Sequence, residues 1–309
     1  MNKSKQLFYY APIISALAIV LFINGYPFIN TVIASFTDWN GLFQREFVGL
    51  SNYLKLFSEA KFWDLLCNTL TILLYLPFTM VLALITSCAV KDRPKLKHLF
   101  LYIVYVPQII STVVVGKVFS IIFGFDGPIN GIRAFLSLPL FDFLGNSRSA
   151  MIITIFSVIW FELGWQVLVI MGRLSSIEKN TSKLIAIDGL GFWKSTFFVY
   201  LPMIYDTFVY MGLISLFFAF SGLFPIIYVL TKGGPGYATT TIDYMIYTLS
   251  FGGSSSKLGE ASALAIILLF IAIISVLLYL CIMKALRVIL DLFYCTKLQK
   301  SEAFKRTTL

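Results

Sequence analysis

Charge is scarce in this sequence. Only 13% of its 309 residues are Asp, Glu, Lys or Arg, against about 25% in an ordinary soluble domain. So little polarity cannot cover a soluble fold of this length, which excludes soluble enzymes, disordered tails and secreted disulfide scaffolds. Histidine occurs once, at position 98. The four cysteines, Cys67, Cys88, Cys281 and Cys295, stand in no CxxC or CxxH spacing. They read as thiols packed among apolar residues rather than as metal or redox centres. No G-x-x-x-x-G-K-[ST] phosphate loop is present, so the chain cannot use ATP alone. No soluble domain, internal repeat or broken-helix pattern stands out.

What the sequence does contain is long apolar runs. Hydrophobic residues make up 59% and the mean hydropathy is +0.87. A membrane span needs about 20 apolar residues, and six segments qualify: 9–36, 66–90, 98–124, 149–172, 200–230 and 260–286. The expected fold class is therefore an all-α polytopic membrane protein with six transmembrane helices in one domain over 1–309. The first run follows Lys3 and Lys5 but extends past signal length with no small-x-small cleavage site, so it reads as a retained span. The net charge of +9 is distributed rather than global. Sixteen of the 24 basic residues fall before the first span, in 91–97, in 173–194 and from Lys284 onward, whereas the alternate loops are near neutral. By the positive-inside rule both termini are cytoplasmic. The same distribution makes nucleic acid an unneeded explanation of the charge.

The loops carry further signals. Within the outer loop at 37–65, the stretch SNYLKLFSEAKFW reads as a short interfacial helix capped by Ser51 or Asn52. The loops at 125–147 and 231–259 contain the turn signals Asp126-Gly127-Pro128, Gly145-Asn146 and Gly233-Gly234-Pro235-Gly236. The inner loop at 173–199 is the unusual one. Ser175 or Ser176 caps a helix with Glu178 in its first turn, and Leu184, Ile185 and Ile187 give it an apolar ridge. Asp188-Gly189 ends that helix, because glycine tolerates the left-handed stop. A second helix from about Leu190 leads into the fifth span, with Pro202 near its entry. Such a ridge suits either a partner's groove or the lipid interface.

This inner loop resembles the conserved cytoplasmic "EAA" loop of binding-protein-dependent ABC importer permeases, on Asp188, Gly189, Trp193, Leu201 and Pro202. Other segments resemble the carbohydrate-uptake, MalF-like branch of that family. They are Ser35-Phe36-Thr37-Asp38-Trp39-Asn40-Gly41, Phe47-Val48-Gly49-Leu50-Ser51-Asn52-Tyr53, Asn68-Thr69-Leu70, Val106-Pro107 and Leu230-Thr231-Lys232-Gly233-Gly234-Pro235-Gly236. Each match is weak alone, but they occur in order along nearly the whole chain. One departure is that Lys183, Leu184 and Ile185 occupy the Glu-Ala-Ala positions, so docking would rest on the ridge, Asp188 and the Gly189 turn.

The resemblance implies a type I importer permease fold in a bacterial cell membrane. It implies one permease of a heterodimer with a second, homologous permease, two cytoplasmic ATPase subunits and an extracytoplasmic solute-binding protein. ATP and its magnesium would be bound by the ATPases, with no cofactor and no enzymatic activity in this chain. The coupling loop would comprise Lys183, Leu184, Ile185, Ala186, Ile187, Asp188 and Gly189. The substrate implied is a carbohydrate, foremost an oligosaccharide, with glycerol phosphate the near alternative.

Charged residues inside spans are functional candidates, and Lys117, Glu162 and Asp206 stand out. Glu162 and Gln166 lie one turn apart on one helix face, with Trp160 and Trp165 nearby. On a cavity-lining helix a carboxylate, an amide and indoles suit a sugar; the alternatives are a structural Glu162–Lys117 ion pair and lipid-belt tryptophans. Asp206 reads as a gate or helix-terminal residue. Tyr210, Ser215, Phe220 and Ser221 add modest polarity to the fifth span. Two readings from other classes are an ion-coupled secondary transporter, favoured by broken helices and repeats, and a membrane-embedded lipid enzyme, favoured by clustered His, Asp or Glu.

Overall fold

The structure, a computed structural model, describes residues 3–41, 45–177, 189–252 and 257–307. Among them the regular elements are helices. They are α1 (Lys3–Val20), a π-helical turn (Leu21–Gly25), α2 (Tyr26–Ala34), α3 (Ser51–Ser58), α4 (Ala60–Ile72), α5 (Tyr75–Val90), α6 (Pro94–Ile109), α7 (Thr112–Ile122), α8 (Pro128–Phe135) and α9 (Ser147–Ser175). Then follow α10 (Phe192–Ser195), a second π-helical turn (Thr196–Tyr200), α11 (Leu201–Met203), α12 (Tyr205–Ser221), α13 (Phe224–Leu230), α14 (Ile242–Phe251) and α15 (Leu258–Thr307). The chain forms two compact units, one of residues 1–66 with 242–270, the other of 67–241 with 271–309.

In the first unit, Pro12–Ala34 is apolar enough to span a membrane, and its most apolar stretch has no residue buried in the protein; Ala34 at its end is buried. The chain leaves α2 through a short antiparallel bridge between Thr37 and Phe47. Asn52 does not cap α3, contrary to expectation, and neither does Ser51; the cap position is Leu50, with no side-chain bond. Asn52 is buried and donates instead to the carbonyls of Ser35 at 2.9 Å and Thr37 at 2.8 Å. A buried carbonyl left unbonded costs more than an exposed helix-start amide, so the side chain is spent on the former. Tyr53 adds a hydroxyl bond to Ser35 Oγ at 2.7 Å, and Lys55 on the same helix pairs with Glu260. The two motif segments 35–41 and 47–53 are thus anchored to each other.

The second unit is organised on α9, a 29-residue helix that packs against α5, α6, α7, α12 and α13. Asn146 caps it by accepting from the amides of Arg148 and Ser149, which satisfies two first-turn donors. Its buried positions, among them Ile153, Ser157, Phe161, Gly164, Val167, Ile170 and Leu174, recur at the helical three-to-four spacing of a packed face. Gly164 lets α6 approach: a Cβ there would stand 2.5 Å from the Val104 carbonyl oxygen.

Two expected spans are bent rather than continuous. The third breaks by 101° between Lys97–Ile109 and Thr112–Ile122, the fifth by 80° between Phe192–Met203 and Tyr205–Ser221. At the first break Ile110 and Ser111 are extended, and the Ser111 hydroxyl accepts from the Val114 amide, starting a new helix. Pro107, lacking an N–H, sits one turn before it. At the second, Ile204 leaves helical geometry two residues after Pro202. The fifth run also ends at Ser221, and the chain restarts as α13 around Pro225. Among the described residues four helices are long and apolar enough to cross a membrane, or up to six segments if each bent pair is one span. Broken helices are therefore present, and their absence no longer separates this chain from secondary transporters.

Candidate functional site

Three helices of the second unit bring buried polar side chains together. Ser215 on α12 donates to Glu162 Oε2 at 2.8 Å and accepts from Gln166 Nε2 at 2.9 Å, both on α9. Tyr75, the first residue of α5, donates its hydroxyl to the Ser215 carbonyl at 2.7 Å. All four residues are buried; Gln166, Ser215 and Tyr75 are 0% exposed. Gln166 Oε1 has no hydrogen-bond partner. The site thus offers a carboxylate, an amide oxygen and a hydroxyl in apolar surroundings, where each polar partner matters most.

Lys117 is not the partner of Glu162. It is exposed on α7 and forms no ion pair among the described residues. The hydroxyl of Ser215 satisfies the carboxylate instead, and the Trp165 indole lies beside it. Trp160 and Trp165 are half-buried, and Trp160 packs on Phe119 with ring centroids 5.5 Å apart. Tyr210 and Ser221 are exposed, unlike the cluster, Ser221 donating to the Phe217 carbonyl at 2.7 Å. Asp206 is exposed in the first turn of α12, the helix end that favours negative charge.

Of the predicted coupling segment, Lys183, Leu184, Ile185, Ala186, Ile187 and Asp188 lie outside the described residues. Gly189 takes the left-handed conformation expected of it, with φ +62°. The following α10 leaves Phe192 and Trp193 exposed, at 40% and 60%, which puts an aromatic pair just beyond the turn. Two joints were not foreseen. Asn68 donates to the carbonyls of Tyr237 at 2.7 Å and Thr240 at 3.0 Å, tying its motif segment to the stretch that follows Gly236. The Gly233–Thr241 turn is closed further by the hydroxyls of Thr239 on the Gly234 carbonyl and Thr240 on the Gly233 carbonyl. In the second joint, Lys91 at the end of α5 bonds the Tyr200 hydroxyl and lies 4.0 Å from the centre of its ring. Burial disfavours the Lys91 charge, but bonds to Tyr200 and Asp92 outweigh it and hold its pKa above the usual lysine range.

No family model matches the chain. Its sequence is 29% identical over 259 residues to the multiple sugar-binding transport system permease protein MsmF of Streptococcus mutans, covering 82% of this chain and 87% of that protein. It is 25% identical to the lactose transport system permease protein LacF of Rhizobium radiobacter, over 85% of this chain and 89% of that one. It is 27% identical to the sn-glycerol-3-phosphate transport system permease protein UgpA of Escherichia coli, over 75% and 78%. A solved bacterial alginate ABC transporter, in complex with an alginate pentasaccharide-bound periplasmic protein, contains a chain of the same fold. The match covers 92% of this chain and 96% of that one, with TM-score 0.79 and 22% identity. The chain has the fold of ABC-transporter permeases and is a multi-pass membrane protein. Its relatives in sequence are transport permeases, most of those named here for sugars.

Proposed function

We propose that this chain is one transmembrane permease subunit of an ATP-driven importer that carries a carbohydrate, an oligosaccharide foremost, across a bacterial cell membrane. The reading rests chiefly on similarity to MsmF along 82% of the chain. Counting each bent pair as one span gives six spans, with both termini in the cytoplasm, and the whole chain acts as one permease subunit. A second homologous permease completes the pore, an extracytoplasmic binding protein delivers the sugar, and two cytoplasmic ATPases bind ATP with its magnesium. The chain itself catalyses nothing. ATP acts through its different affinity for the inward- and outward-open states.

The segment Lys183–Gly189 meets the ATPase. The exposed Phe192 and Trp193 beyond the Gly189 turn support this, since an aromatic pair is a usual anchor for a partner's groove. Glu162 and Gln166 line the substrate path, with Trp165, Trp160, Tyr210 and Ser221 along it. Their hydrogen-bonding groups match sugar hydroxyls, and the unbonded Gln166 oxygen is an acceptor such a hydroxyl would satisfy. Glycerol phosphate is the second reading, favoured by similarity to UgpA. A phosphate calls for clustered Arg or Lys, whereas the Glu162 cluster presents a carboxylate and Lys117 stands apart from it.

The test is expression with candidate partner genes and purification through a tag on this chain. Co-purifying ATPase subunits, and uptake into proteoliposomes that needs both ATP and the binding protein, are expected. Solute movement by this chain reconstituted alone would refute the proposal.

A further inference from the structure

Helix α5 joins two places that matter for such a transporter. Its last residues meet the segment leading away from Gly189, and its first residue touches the polar site. At the former end Lys91, the cap residue of α5, holds the hydroxyl and ring face of Tyr200, and the Asp92 carboxylate lies 3.1 Å from the same ammonium. Tyr200 is 4% exposed and closes the π-helical turn Thr196–Tyr200. Single π-turns inside helices recur at functional sites. The hydroxyl of Ser87, one turn before Lys91, is buried and has no hydrogen-bond partner, and the buried Thr196 hydroxyl meets only the Cys88 thiol, a weak partner. Beside that weak thiol contact, the charged attachment between α5 and the π-turn is the ammonium on the phenol. Tyr200 also stands four residues before Ile204, where the 80° bend into α12 begins.

At the opposite end Tyr75 donates to the carbonyl of Ser215, whose hydroxyl binds Glu162 and Gln166. The 16 residues of α5 span about 24 Å at 1.5 Å per residue. A helix of that length bonded at both ends behaves as a strut.

We propose that α5 transmits displacement of the ATPase-docking arm to the Glu162–Ser215–Gln166 site, and that Lys91 is the positioning residue that ties the arm, through Tyr200, to this strut. The inference rests on the docking role given to the arm under Proposed function.

The test uses the assembled transporter with every native cysteine replaced and a bimane fluorophore on Ile214→Cys, an exposed position beside Ser215. The ATPase subunits carry a substitution that permits ATP binding but blocks hydrolysis. Addition of ATP is expected to shift bimane emission when Lys91 is present. K91A should cut the shift at least about fivefold, the lower end of ordinary site-to-site coupling, and K91R, which keeps the cation over the ring, should restore most of it. Y200F removes only the hydroxyl and should give an intermediate shift; it decides the matter if K91A fails to assemble. A full shift in the assembled K91A or Y200F complex, or no shift with Lys91 intact, would overturn the strut. A purified complex without ATPase subunits would overturn the Proposed function itself, a separate and recognisable failure.

Discussion

Glu162 is a carboxylate inside an apolar helix pair with no basic neighbour, held by a serine hydroxyl 2.8 Å away. That serine serves two polar side chains of α9, Glu162 and Gln166, so it carries more than one ordinary hydroxyl bond. Ser215→Ala should remove one hydrogen bond from each of two buried side chains, Glu162 and Gln166, and destabilise the protein by about 2 kcal/mol. The thermal unfolding midpoint in detergent measures this, and an unchanged midpoint would mean that water replaces the hydroxyl. The pairing of Glu162 with Gln166 was legible in the sequence, because four residues is one helical turn. The identity of their partner was not. Ser215, Tyr210 and Ser221 look alike in an apolar run, and only packing sorts the buried serine from the exposed tyrosine and serine. Lys117 misled for the opposite reason: charge complementarity is visible in sequence, but the direction a helix face points is not.

At the scale of elements, the approach of α6 to α9 depends on what is missing at position 164. Gly164→Ala would set a methyl 2.5 Å from the Val104 carbonyl oxygen and 3.1 Å from the Tyr105 Cα. Both are backbone atoms and cannot swing aside, so the helices must separate at a cost of about 1–3 kcal/mol. Gly172→Ala on the same helix meets nothing within 4 Å and should be neutral or stabilising by up to about 1 kcal/mol, the helix propensity gain. Comparing the unfolding midpoints of the two variants separates packing from propensity; equal effects would remove the close contact from the account. Helix locations were legible from apolar length, and the Asn146 cap sits beside a turn signal. The breaks at Ile110 and Ile204 were hidden, because hydropathy is summed along the chain and is blind to axis direction. Pro107 and Pro202 were in view, yet proline marks a weak point without fixing how sharply the helix turns. Asn52 shows the same limit, since a cap-forming residue beside a helix start can instead serve a carbonyl some 15 residues back.

For the whole molecule, the division into two units was invisible in the sequence. Two of its three boundaries fall inside α4 and α15, and the third at the start of α14; apolar length marks none of them. The distribution of charge, in contrast, speaks to a question that the helix axes leave open. With bends of 101° and 80°, the two broken pairs either cross the membrane or dip into it and return. If both returned, four spans would remain, and Arg173, Lys179, Lys183 and Lys194 would lie on the side opposite the termini and Lys91, Arg93, Lys95 and Lys97. That arrangement opposes the positive-inside rule, whereas six spans put all of these residues on one side. Alkaline phosphatase, active only after export, distinguishes the two when fused after Leu140 and after Ile177 in a bacterial host. Six spans predict an active fusion at Leu140 and an inactive one at Ile177, and four spans predict the reverse. A third fusion after Lys61 should be active in either case and confirms that the first span is inserted with the N-terminus inside. An inactive Leu140 fusion beside an active Ile177 fusion would make both broken pairs re-entrant. It would also move the Lys183–Gly189 segment to the outer face, out of reach of any ATP-binding subunit in the cytoplasm.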